Sequence, residues 1–221
     1  VAIDLGLKDF LVLSTGSKIK NGRFLKHYEH QLKLNQKSLS RKTKGSNRYE
    51  NQRLKVARIH EKISNSRMDL IHKVSLNLVR NYDQIFLEDL NVKGMVKNHK
   101  LSKSISDVSW SKFIEVLTYK ANWNDKEVIK VDRFFPSSKT CNSCGWINNS
   151  LTLNERTWTC KCGLEVDRDL NAAKNILNEG LRKNISVGTT DYGRGAQIRL
   201  DKSSTSRETS KKKVLHGPET H

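Results

Sequence analysis

No stretch of the sequence approaches about 18 consecutive apolar residues, which excludes a membrane-spanning helix. A basic amphipathic helix with an aromatic face, of the kind that lies on a membrane surface, is missing too. The opening Val1-Ala2-Ile3-Asp4 places a charge where the apolar run of a secretory signal would begin. Acid is scarce: 23 Asp and Glu stand against 41 Lys and Arg in 221 residues, a formal net charge of +18. An excess that large in a chain this short implies a polyanionic partner, nucleic acid first. Apolar residues make up 35 %, enough for the core of one ordinary domain with a small insertion. No internal repeat is present.

Cysteine is absent outside one 22-residue window, Cys141-Asn-Ser-Cys144 followed by Cys160-Lys-Cys162. Glycine stands directly after the second and fourth, as Gly145 and Gly163. Thiolates so spaced fold two short knuckles around one tetrahedral Zn²⁺, and the alternatives are two disulfides or four unrelated thiols. Disulfides need an oxidising compartment, to which nothing at the N-terminus points. The second knuckle is Cys-x-Cys, one residue shorter than the usual pattern, which tightens its turn.

The first 14 residues read as a strand, a turn at Gly6 and a second strand, with a meander running on toward Phe24. Apolar residues from Leu54 to Val79 recur at the spacing of a long amphipathic helix or helical pair over about 46–81. Residues 83–89 read as a short buried strand ending in carboxylates, followed by a linker containing Gly94. A helix opens at Asp107, its stripe of Trp110, Phe113, Ile114, Leu117, Ala121 and Trp123 reading as core rather than base-stacking surface. Residues 127–132 form a further strand, and Asp169–Leu181 a last helix stopping near Gly180. From residue 185 onward the composition predicts a disordered tail.

Charge clusters in two ways. Between Gln31 and His60 nine bases (Lys33, Lys37, Arg41, Lys42, Lys44, Arg48, Arg53, Lys55 and Arg58) face one acid, Glu50. Such a run forms a solvated helix face or a phosphate-contacting one, and its density favours the second. Conversely, Asp4 closes the first strand, Glu88 closes the strand after the long helix, and Asp169 opens the final helix. Each has an ordinary explanation: a turn, a strand-end charge, a helix N-cap. A sheet that brings the three together makes a site where Mg²⁺ or Mn²⁺ offsets their repulsion and binds a scissile phosphate. Strand Asp, strand Glu, helix-start Asp, with a basic helix between, is the layout of an RNase H-like core: a mixed α/β sheet flanked by helices.

With those residues in view the chain resembles the C-terminal half of the TnpB/OrfB family encoded by bacterial and archaeal insertion sequences. Ile3-Asp4-Leu-Gly-Leu-Lys-Asp-Phe10 resembles the family's first RuvC motif, and Phe86-Leu-Glu88-Asp-Leu-Asn-Val-Lys-Gly-Met95 its second. Phe135-Pro-Ser-Ser-Lys-Thr-Cys141-Asn-Ser-Cys144-Gly resembles the start of its zinc ribbon, and Asp167-Arg-Asp169-Leu-Asn171-Ala-Ala-Lys-Asn175-Ile its third motif. The resemblance covers roughly residues 1–199.

It implies an RNA-guided, metal-dependent DNA endonuclease related to the type V CRISPR effectors, with Asp4, Glu88 and Asp169 holding Mg²⁺ or Mn²⁺. The third carboxylate is Asp169 or Asp167, and Asp169 is preferred because it directly precedes Leu-Asn-Ala-Ala. The domains implied are a RuvC core over 1–135, a zinc ribbon held by Cys141, Cys144, Cys160 and Cys162 over 136–166, the last RuvC helix over 167–184, and a tail over 185–221. Lys139 and Arg156 become the ribbon's phosphate-facing candidates, and the basic run from Lys33 to Arg58 faces a guide–target heteroduplex. The implied partners are DNA and a guide RNA from the transposon end, in a prokaryotic cytoplasm and on the nucleoid. The family's wedge and recognition parts precede the first RuvC strand, so the expectation is that this portion alone does not perform guided cleavage. The competing reading is a non-catalytic nucleic-acid-binding remnant or regulator of transposition.

Overall fold

In the computed structural model, which describes residues 1–152 and 154–188, a five-stranded mixed sheet carries helices on both faces. β1 (Ala2–Leu5), β2 (Asp9–Leu13) and β3 (Lys18–Lys20) form an antiparallel meander. β4 (Gln84–Glu88) lies parallel to β1, and β5 (Glu127–Val131) parallel to β4, giving the order β3-β2-β1-β4-β5. Parallel neighbours need crossovers, and helices supply both. α1 (Phe24–Ser40) and α2 (Asn47–Asn81) lead from β3 to β4. Then α3 (Val92–Val96), α4 (Ser102–Val108) and α5 (Trp110–Trp123) lead from β4 to β5.

Side-chain alternation splits the core in two. Ile3, Ile85 and Leu87 pack against Ile71, Val74 and Leu78 of α2 and Phe113 and Leu117 of α5. Ala2, Phe86 and Val131 point the other way, onto Ile176 of α6 (Arg168–Gly188). The cysteine segment sits between β5 and α6 and contains a small hairpin, β6 (Thr157–Thr159) with β7 (Glu165–Asp167).

Several elements differ from the sequence expectation. Residues 24–40, beyond the meander expected up to Phe24, form a helix. α1 packs Leu32 against Ile59 and Ile63 of α2, and its Leu25 N–H donates to both carboxylate oxygens of Asp107, 3.0 and 3.1 Å away. Asp107 thus caps a helix 82 residues distant in sequence, and Arg67 pairs with it at 2.9 Å. The stretch with Gly94 contains α3, capped by the Asn91 side chain. Asp107 ends α4 instead of opening α5, the two helices being separated at Ser109 by a left-handed φ of 57°. Trp123 leaves the core stripe, 77 % exposed at the end of α5.

Gly180 does not terminate α6. A Cβ at that position would lie 2.2 Å from the Phe86 ring, so the glycine serves close helix–sheet packing and the helix continues to Gly188. The expected tail therefore begins no earlier than residue 189, and 189–221 lie outside the described residues. No described helix is long and apolar enough to cross a membrane.

Candidate functional site

The pairing of β1 with β4 sets Ala2 opposite Phe86 and Ile3 opposite Leu87. One step further along both parallel strands, Asp4 comes opposite Glu88, about 4.8 Å across the ladder. Asp4 shares the face of Ala2, and Glu88 that of Phe86, which is the face covered by α6. α6 begins beside these strand ends with Asp169 in its first turn. Three carboxylates widely separated in sequence thus lie at one corner of the sheet, near enough for the charges of Asp169 and Glu88 to act on Asp4.

The carboxyls of that corner are buried and crowded. Burial, reinforced by the negative charges of Asp169 and Glu88 and opposed by Arg168 and Arg156, pushes the Asp4 carboxyl up to about 8. Burial also raises Glu88. The donor set of hard carboxylate oxygens suits Mg²⁺ or Mn²⁺. Asp169 is engaged by protein cations: Arg156 Nη1 lies 2.9 Å from Oδ2 and 3.3 Å from Oδ1, and Arg168 Nε lies 3.3 Å from Oδ1. Among the described residues only the four cysteines form a group of three or more His, Cys, Asp or Glu whose ligand atoms close around one point.

Asp167 and Asp169 have different surroundings. Asp167 Oδ1 accepts the N–H groups of Asp169 and Leu170 at 3.1 and 3.0 Å, the geometry of a helix cap, and its Oδ2 receives Lys18 Nζ at 2.6 Å. The N-cap role considered for Asp169 thus belongs to Asp167, leaving Asp169 to bear on Asp4. Asp89 follows Glu88 but is held by Arg133 and by Lys130, the latter at 3.5 Å.

The four cysteine sulfurs lie within 4.8 Å of one another, with Cys144–Cys160 at 3.5 Å and Cys141–Cys162 at 4.0 Å. Four sulfurs at 2.3 Å around a tetrahedral Zn²⁺ stand about 3.8 Å apart, so the set fits that ion. Both knuckles close by the same device. Cys141 N–H donates to Trp146 O and Cys160 N–H to Leu164 O, each turn passing through a glycine with left-handed φ, 77° at Gly145 and 87° at Gly163. The second turn is one residue shorter, yet its thiols still reach the first pair. The coupled thiols shift in opposite directions: against burial, the N–H groups of Cys144 and Ser143 draw Cys141 down, while burial pushes Cys160 up.

Two asparagines that the sequence reading left without a role tie the cysteine segment to α6. Asn175 Nδ2 donates to Ser137 O at 2.7 Å and Thr140 O at 2.6 Å, and Asn171 Nδ2 to Thr140 O at 2.6 Å. In return Asn142 N–H donates to Asn171 Oδ1 at 2.9 Å. Both are buried. A pair of asparagines four apart inside a helix, where Asn is unfavourable, is the signal that marks them.

Of the basic candidates, Lys33 and Lys37 lie on α1, Arg41, Lys42 and Lys44 in the connection, and Arg48, Arg53, Lys55 and Arg58 on α2. All are exposed except the half-buried Lys42, and Arg53 pairs with Glu50. They form one stretch on the α1–α2 hairpin, separate from the carboxylate corner. Lys139 is exposed on the cysteine segment; Arg156, assigned to phosphate from sequence, is spent on Asp169.

Comparison with known proteins gives two family matches, a probable transposase model of the OrfB/IS605 type over residues 1–99 and a Cas12f1-like TNB domain over residues 110–176. A Streptomyces pristinaespiralis protein named "Putative RNA-guided DNA endonuclease" is 41 % identical over 211 residues, covering 96 % of this chain and 51 % of the relative. InsQ of Escherichia coli (strain K12), given the same description, is 31 % identical over 196 residues, covering 81 % of this chain and 48 % of its own. The chain thus spans about half the length of these relatives. Among solved structures, a Cas12f1–sgRNA–target DNA complex matches at a TM-score of 0.57 and 21 % identity, over 80 % of this chain and 48 % of the other. A CRISPR–Cas12f ternary complex matches at 0.57 and 22 %, over 79 % of this chain and 37 % of the other. These two likenesses carry the fold.

Proposed function

The chain belongs to the TnpB/OrfB family, and on that premise we propose that it is the RuvC nuclease portion, with zinc ribbon, of an RNA-guided DNA endonuclease. The observation that supports this reading is the placing of Asp4 and Glu88 at adjacent strand ends, with Asp169 near enough for its charge to act on Asp4. The 3-2-1-4-5 strand order, with a parallel pair joined to an antiparallel meander, supports an RNase H-like core over residues 1–135 and 168–188. The zinc ribbon is the segment from 136 to 167, with Cys141, Cys144, Cys160 and Cys162 as the Zn²⁺ ligands.

Asp4, Glu88 and Asp169 would hold Mg²⁺ or Mn²⁺, which would supply Lewis-acid polarisation of a water and a phosphate. The protein's part is placement. Asp4 and Glu88 are fixed by strand register, Asp169 by a helix whose first turn Asp167 caps. Holding Asp169 in register with the sheet is also the work of the Asn171–Asn175 clip, which fixes the ribbon against α6. The exposed bases of the α1–α2 hairpin and Lys139 bind phosphates without reading sequence. The partners are DNA and a guide RNA from the transposon end, and the protein works on the prokaryotic nucleoid.

A second reading, a nucleic-acid-binding module without cutting activity, draws on the ion pairs that occupy Asp169. Plasmid cleavage separates the two. The protein expressed from its complete gene, with guide RNA and Mg²⁺, is expected to cut, and Asp4→Ala and Asp169→Ala to abolish cutting. Undiminished cutting by both variants overturns the nuclease assignment; salt-sensitive binding without Mg²⁺-dependent cutting favours the second reading.

A further inference from the structure

Phe134 is the most exposed large apolar side chain among the described residues, 86 % accessible. Trp123, the next, lies against Tyr119 with ring centroids 4.7 Å apart, whereas Phe134 has no ring partner among the described residues. Its backbone is nevertheless fixed. Phe134 N–H donates to Asp132 Oδ1 at 2.8 Å, Phe135 N–H to Asp132 O at 3.1 Å, and Ser137 N–H to Phe135 O at 2.7 Å. The neighbouring Phe135 turns inward against the core of Phe86 and Ile176. One aromatic thus anchors the loop while the next is held out in solvent.

The position of that ring is specific. β5 ends at Val131, the register partner of Glu88, and Phe134 follows three residues later, at most about 11 Å of chain. Adding about 4.8 Å across the ladder leaves Phe134 within about 16 Å of the backbone at Glu88, or roughly five stacked nucleotides at 3.4 Å each. Lys130 and Arg133 flank the loop, both paired with Asp89, and the whole chain carries +18. A flat apolar face, preordered and pointing outward on a chain of strongly positive net charge, matches a base of single-stranded nucleic acid: the ring takes the base and the chain's net charge favours the polyanion.

We propose that Phe134 is a base-stacking platform that holds a single-stranded nucleotide beside the carboxylate corner. The assignment of that corner to DNA cutting rests on the function proposed above; the stacking itself does not, and it is measured without metal or cleavage. The probe is the binding of the 221-residue chain to fluorescent dT20, and to an abasic 20-mer of the same charge, in EDTA at fixed salt.

Phe134→Ala is expected to weaken dT20 binding roughly five- to thirtyfold, to leave the abasic strand unaffected, and Phe134→Trp to restore dT20 binding. Because the side chain is exposed, the variants should melt as the wild type does. Equal binding of dT20 by wild type and Phe134→Ala overturns the proposal. So does an equal loss on both strands, which would place Phe134 in a contact with backbone or protein instead of a base. Loss of cleavage in Asp4→Ala with dT20 binding intact leaves the stacking standing, so the two assignments fail separately.

Discussion

Arg156 Nη1 lies 2.9 Å from Asp169 Oδ2, so the cysteine segment places a cation on the carboxylate that opens α6. A divalent ion at Asp169 must displace that guanidinium. Arg156→Ala is therefore expected to tighten Mn²⁺ binding by about two- to fivefold, the worth of a partly exposed ion pair. Isothermal titration measures it; an unchanged or weaker affinity would show that Arg156 does not compete for the site.

The zinc assignment makes a local prediction. The ribbon has its own core of Cys141, Trp158, Cys160 and Val166, separate from that of the sheet. Cys160→Ser or a strong chelator is expected to remove about one zinc per chain. The near-UV signal of Trp146 and Trp158 should then change while β1 and β4 keep their amide protection. Metal analysis and hydrogen exchange are the readouts, and global loss of protection would contradict the separation.

Gly180 offers a contest between two terms of opposite sign. Alanine in a helix interior gains about 1 kcal/mol over glycine, but its Cβ would meet the Phe86 ring at 2.2 Å. Phe86 is fully buried and two residues from Glu88, so relief requires β4 or α6 to move, at a cost of about 1–3 kcal/mol or more. Gly180→Ala is expected to lower the denaturation midpoint and, by shifting Glu88, to weaken Mn²⁺ binding. A midpoint at or above the wild type would refute the packing argument.

Why Gly180 misled is instructive. Glycine near the end of an apolar pattern is a common stop signal, and only the Phe86 ring opposite, 94 positions earlier, shows that it is a packing device. The same holds for α1, whose N-terminus is capped by Asp107 from another helix. By contrast, the cysteine spacing and the places of Asp4 and Glu88 at or near strand ends were legible, because they depend on short intervals and on strand period. That these carboxylates meet depends on β1–β4 register, which no local pattern contains. Whether Asp167 or Asp169 faces Asp4 likewise needed the turn of α6.

The raised Asp4 sets a pH dependence. Its ordinary value of 3.8 rises to about 8 in the folded chain, so the folded state keeps a proton that the unfolded state has lost. The stabilising contribution is full below about pH 4 and is lost progressively as pH rises toward 8. In EDTA, the wild type is expected to lose stability relative to Asp4→Asn between pH 5 and 8. Added Mg²⁺ should restore the wild type alone, more strongly at the higher pH, because the ion competes with the proton. Thermal melts of both proteins check it; parallel pH profiles would show that Asp4 does not titrate in this window.

The central claim is that Asp4, Glu88 and Asp169 form one divalent-cation site. Mn²⁺ titration of the purified chain, followed by electron paramagnetic resonance, tests it directly on wild type, Asp4→Asn, Glu88→Gln and Asp169→Asn. The account expects each carboxamide to weaken binding by at least about tenfold, since each removes a ligand and a charge. Wild-type affinity in all three variants would contradict it.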